Sequence, residues 1–148
     1  MEERYLEDFA PGQVFRSGRL TVTPEAIIAY AREYDPQPFH LDDAAARGTL
    51  FGGLAASGWH TASLTMKLLV GSEFRPVGGI IGGGMEELAW PRPVRPGDEL
   101  RLEIEVLEVR PSQSKPHQGT LRARCTTLNQ RDEVVQVIVP RLVVPRRS

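Results

Sequence analysis

The segment from Leu54 to Val70 constrains this chain more than any other. It contains no proline and consists mostly of Ala, Leu, Met, Ser and Thr, with Gly58 its only glycine, and it predicts one long helix closed by Gly71. A helix that is apolar nearly all round must be buried, and another helix face is too narrow to cover it. The rest of the chain supplies a sheet. Met85 to Trp90, Glu99 to Val109, Gly119 to Leu128 and Glu133 to Val144 are rich in Val, Ile, Leu and Thr, and turn signals such as Pro96-Gly97-Asp98 and Asn129 to Asp132 separate them.

Upstream, Pro11-Gly12 marks a turn before an alternating stretch, Gln13 to Thr23, which reads as an edge strand. Thr23-Pro24-Glu25 then begins a helix, with a hydroxyl cap, a proline at the first helical position and an acidic residue in the first turn. Ile27, Ile28, Ala31 and Tyr34 share one face of it. Pro36 and Pro38 stop that helix, and the segment Asp35 to His40 is predicted to be extended and rigid. Asp42 to Arg47 reads as a short helical turn, followed by a glycine-bearing loop, Gly48 to Gly53. The order is strand, helices, then four strands: an α+β domain with the long helix lying against a curved antiparallel sheet. Residues 1–148 suit a single domain, and no repeat or linker divides them.

A formal charge of -1 argues against a general nucleic-acid binder, which needs excess Lys and Arg to displace counterions. The groups Arg92, Arg95, Arg101 and Arg141, Arg146, Arg147 read as solvated surface charge. The acidic N-terminus lacks the apolar run of a secretory signal, and no stretch matches a membrane span, so a cytoplasmic location is expected. The lone Cys125 reads as structural. His40, His60, His117 and Cys125 lack metal-ligand spacing, so no metal is expected.

Chemistry concentrates in Tyr34-Asp35-Pro36-Gln37-Pro38-Phe39-His40-Leu41-Asp42, where a carboxylate and an imidazole lie five residues apart on a chain stiffened by two prolines. Adding water to an unsaturated thioester needs a proton acceptor and a group that orients the water, and an Asp/His pair provides both. Asp35 follows the negative end of a helix, which predicts a carboxylate less easily ionised than usual. A second feature is Gly52 to Thr61. Small residues near the start of a buried helix leave N–H groups free to face a ligand, and the Gly58 amide is the candidate donor to a thioester oxygen. Tight packing of the helix explains Gly58 equally well at this point. His60 reads as a structural histidine in preference to a second site group, and Trp59 as lining a pocket or the core.

These residues resemble the MaoC-like dehydratase family, which includes the R-specific enoyl-CoA hydratases. The resemblance covers most of the chain and is most specific from Tyr30 to Asp42, with support from the glycine-bearing helix start and from Pro93-Val94-Arg95-Pro96-Gly97-Asp98. It implies a hot-dog fold, an acyl-CoA thioester as substrate, and no cofactor beyond the coenzyme A that the substrate carries. It further implies Asp35 as general base, His40 as its partner in activating water, and Gly58 as oxyanion donor. Gln37 and Ser57 depart from the residues the family commonly carries, and with Trp59 they are expected to shape the substrate pocket. A homodimer or higher homo-oligomer is implied as well. The alternatives are a hot-dog thioesterase and a non-catalytic acyl-thioester binding subunit.

Overall fold

In the computed structural model, which describes residues 2–147, the helix start at Thr23 is built as its residue types require. The Thr23 hydroxyl accepts the Ala26 N–H at 3.1 Å, and Pro24 opens helix α1, Pro24–Tyr34. Ahead of it lies strand β1, Val14–Thr21. After α1 the chain departs from the extended reading. Only Asp35 to Gln37 is non-helical, and Pro38–Leu41 forms a short helix, α2, with Pro38 at its first position. A proline there loses nothing, because the first N–H of a helix has no internal acceptor in any case. Its restriction falls on Gln37, which is extended as a residue before proline must be. A single turn, α3, Asp43–Ala46, follows with Asp42 as its cap.

The central helix, α4, runs Gly58–Val70 and so starts four residues later than its composition implies. Leu54 to Ser57 is instead an extended approach with backbone partners on both sides. The Ala55 N–H donates to the Phe39 carbonyl at 3.0 Å and the Ala56 N–H to the Val94 carbonyl at 2.9 Å. Arg95 braces the preceding loop, its guanidinium donating to the carbonyls of Phe51, Gly53 and Leu54.

Four further strands complete the fold: β2 Ile81–Ala89, β3 Glu99–Pro111, β4 Gln118–Leu128 and β5 Val134–Pro145. They form one five-stranded sheet in the order β1-β3-β4-β5-β2, with every pairing antiparallel. Alternation decides the inner face. Leu100, Leu102, Ile104 and Val106 of β3 and Leu121, Ala123 and Cys125 of β4 are buried, and Glu103, Glu105, Arg122 and Arg124 point outward. Leu68 and Leu69 of α4 and Ile27 of α1 close the core from the other side. Pro140 lies inside β5 opposite Met85, next to shifts in the β2–β5 register, so its missing N–H falls where that ladder is already irregular.

A single chain does not surround α4. His60, Thr61, Thr65, Leu68 and Leu69 are covered, but Trp59, Met66 and Val70 form an exposed stripe beside the edge strand β2. Among the described residues no helix is long and apolar enough to cross a membrane.

Candidate active site

Asp35 and His40 come together because a helix end and a helical turn meet across two prolines. His40 is buried on α2, and its Nδ1 lies 2.7 Å from the Ala55 carbonyl, which can only accept, so Nδ1 carries a proton. That leaves Nε2 facing Asp35 Oδ2 at 3.4 Å. The carbonyl that sets the tautomer belongs to the extended approach to α4, so the loop and the imidazole are fixed together.

Asp35 is held on both oxygens. The Gln37 side-chain amide donates to Oδ1, and the Ser57 hydroxyl donates to Oδ2 at 2.7 Å. Burial is the largest single influence on this carboxyl and pushes its pKa up. The hydrogen bonds from Ser57 and Gln37 and the nearby His40 together outweigh it, and the net shift is below the ordinary aspartate value. This overturns the expectation of a less readily ionised Asp35. A helix C-terminus acts weakly and at a distance, and the donors in direct contact dominate it.

Beside His40 lies a cavity of about 310 Å³ lined by His40, Phe51, Gly58, Thr61, Trp90 and Val94 among others. Gly58 opens α4, and among the described residues its N–H has no protein acceptor. Its lack of a side chain has a packing cause: a Cβ there would lie 2.6 Å from the Trp90 ring. Glycine is therefore required by the indole, and the free amide is a consequence of its place in the first turn.

The residues expected to shape the pocket separate on inspection. Ser57 is fully buried, its hydroxyl donating to Asp35 and accepting the Trp59 N–H at 3.3 Å, so it caps α4 and positions the carboxylate instead of facing the cavity. Gln37 likewise holds Asp35. Trp59 does not line the cavity. It packs edge to face on Trp90, with ring centroids 5.5 Å apart, and lines a different groove with Tyr30, Met66, Met85 and Leu88.

His60 is buried and stacked on Tyr30 with centroids 4.8 Å apart, and among the described residues its Nδ1 has no hydrogen-bond partner. Burial lowers its pKa, favouring the neutral ring. It is absent from the cavity lining. Cys125 is buried in the sheet and its thiol is pushed up to about 12 by burial. The wall residue that sequence reading missed is Trp90. Its signal was an aromatic at a strand end followed by Pro91 and Pro93, and nothing local says on which side of the sheet such a ring will lie.

Comparison with known proteins agrees with this architecture. A family model described as a MaoC like domain matches residues 8–128. The chain is 35% identical over 127 residues to the uncharacterised protein YdeM of Bacillus subtilis (strain 168), covering 86% of this chain and 89% of that protein. A solved MaoC-like dehydratase from Rhodospirillum rubrum is similar with a TM-score of 0.95 at 55% identity, over 98% of this chain and 99% of that one. The unliganded R-hydratase PhaJ1 from Pseudomonas aeruginosa is similar with a TM-score of 0.75 at 26% identity, over 97% and 86% respectively. The architecture is the hot-dog fold.

Proposed function

The chain belongs to the MaoC-like dehydratase family, and we propose that within it the protein adds water reversibly to a trans-2-enoyl-CoA, giving the R-3-hydroxyacyl-CoA. The observation that carries this reading is the 3.4 Å approach of His40 Nε2 to Asp35 Oδ2 next to a cavity. Two acceptors that close suit one water molecule, which donates one hydrogen to the carboxylate and one to the imidazole and aims its oxygen lone pair at the β-carbon. As the C–O bond forms, the proton leaving the water passes to the Asp35/His40 pair, and the alkene electrons move onto the thioester. In this reading the Gly58 N–H, which has no acceptor among the described residues, holds the resulting negative oxygen. The pair then returns the proton to the α-carbon, so the site ends as it began. The donors around Asp35 keep it anionic, which favours a transient positive charge on His40.

No residue in this scheme requires a metal or redox cofactor. The exposed stripe Trp59, Met66, Val70 and the edge strand β2 support a homodimer as the assembly. The reading is tested by chiral analysis of the product formed from a short enoyl-CoA. The R-3-hydroxyacyl-CoA is expected, and the S enantiomer or a racemate would refute it.

A further inference from the structure

Trp90 occupies a place that ordinary packing does not explain. Its ring lies against Gly58 so closely that a side chain there would collide with it, and Trp90 lines the cavity beside His40. Behind it stands Trp59, edge to face, and behind Trp59 is a second apolar groove of about 370 Å³ lined by Met66, Met85, Leu88 and Ile138. Trp90 lines the cavity, Trp59 lines the groove, and the two indoles are in contact.

The ring is also tethered. Trp90 Nε1 donates to Gln136 Oε1 at 2.8 Å, Gln136 Nε2 donates to Thr65 Oγ1 at 2.9 Å, and Thr65 and Thr127 share a hydroxyl hydrogen bond of 2.7 Å. Gln136, Thr65 and Thr127 are fully buried. Apolar side chains would fill that core without the desolvation cost of three polar groups. What the array gains is a fixed indole orientation, since its outermost bond ends on Trp90.

We infer that Trp90 is a specificity-determining residue, the end wall that limits the length of the acyl chain, with Gln136 as its positioning residue. The inference rests on the thioester reading above. A cavity of about 310 Å³ lies at the low end of ligand pockets, which run from about 300 to 1,000 Å³. It suits a short acyl group. Removing the indole would open the cavity toward Trp59 and the groove it lines, on the face that the homodimer reading covers, and so lengthen the apolar space open to an acyl chain.

The test compares wild type, Trp90→Ala, Trp90→Phe and Gln136→Leu in two assays. One measures kcat/KM for crotonyl-CoA against trans-2-dodecenoyl-CoA, and the other measures Kd for butyryl-CoA against dodecanoyl-CoA by calorimetry. Wild type should prefer the short chain. Trp90→Ala should move the long-to-short ratio upward by at least about tenfold, the lower end of what one methylene is worth in an apolar pocket. Trp90→Phe, which keeps a ring and guards against a folding failure of the alanine variant, should move it less. Gln136→Leu should move it the same way with the wall still present, an effect that a merely structural glutamine would not produce. Turnover with an unmoved ratio in both Trp90 variants overturns the wall and leaves the hydratase reading standing. Absence of turnover with the Kd ratio shifting as stated removes the hydratase reading and leaves the wall. Absence of both turnover and any length-dependent binding overturns both.

Discussion

Ser57 holds Asp35 from the start of a different helix, its hydroxyl donating to Oδ2 at 2.7 Å and simultaneously capping α4 at the Trp59 N–H. One substitution therefore separates into two effects. Ser57→Ala should cost about 0.5–2 kcal/mol of stability through the lost cap. It should also raise the Asp35 pKa by removing a donor to the carboxylate, so the acid limb of the pH–rate profile should move to higher pH. Thermal unfolding checks the first effect and a kcat profile the second. Ser57→Thr should restore both.

Gly58 and Trp90 should be coupled in stability. Gly58→Ala places a methyl within 2.6 Å of the indole, an overpacking that typically costs about 1–3 kcal/mol. Trp90→Ala removes the obstacle, so denaturant unfolding of the double variant should show a strongly non-additive cost. Additive costs would mean that the glycine serves something other than the ring.

His60 gives a pH dependence of stability. Burial depresses its folded pKa below the ordinary value of 6.5, so the unfolded chain binds more protons as the pH falls through that value. Its contribution is intact above about pH 6.5 and is lost progressively as the pH drops toward the folded pKa. Between pH 7.5 and 5.5, Tm should fall further for wild type than for His60→Phe, which has no proton to gain.

Cys125 should be inert. A thiol buried in the sheet with its pKa near 12 has almost no thiolate at pH 8, so a thiol reagent should label it only after denaturation. Rapid labelling of the native protein would contradict the observed packing.

Much of this molecule was readable in order along the chain. Thr23-Pro24 begins α1 where its cap chemistry says it should, and β3 and β4 follow their alternation closely. Errors fell where tertiary partners override local preference. The strand read from Met85 begins four residues earlier, at Ile81: three glycines disfavour a strand there, yet pairing with β5 recruits them as the start of β2. Leu54 to Ser57 has helical composition and is extended because Phe39 and Val94 take its N–H groups. The Asp35/His40 pair was legible from its residue types, the two flanking prolines and the family resemblance that this segment carries. The donors that lower the Asp35 pKa were not, because Ser57 reaches it from 22 residues away. The wall at Trp90 depends on a contact with Gly58 and a tether to Gln136 that no local pattern encodes.

The central claim, water activated between Asp35 and His40, is tested most directly with crotonyl-CoA, following the conjugated thioester absorbance and free thiol in the same sample for wild type and Asp35→Asn. Wild type should lose the absorbance without releasing thiol. Asp35→Asn should keep its fold, by circular dichroism, and lose about 10² to 10⁴ in rate, the usual worth of positioned proton transfer. Thiol release with conjugation retained, or equal rates in the two proteins, would contradict it.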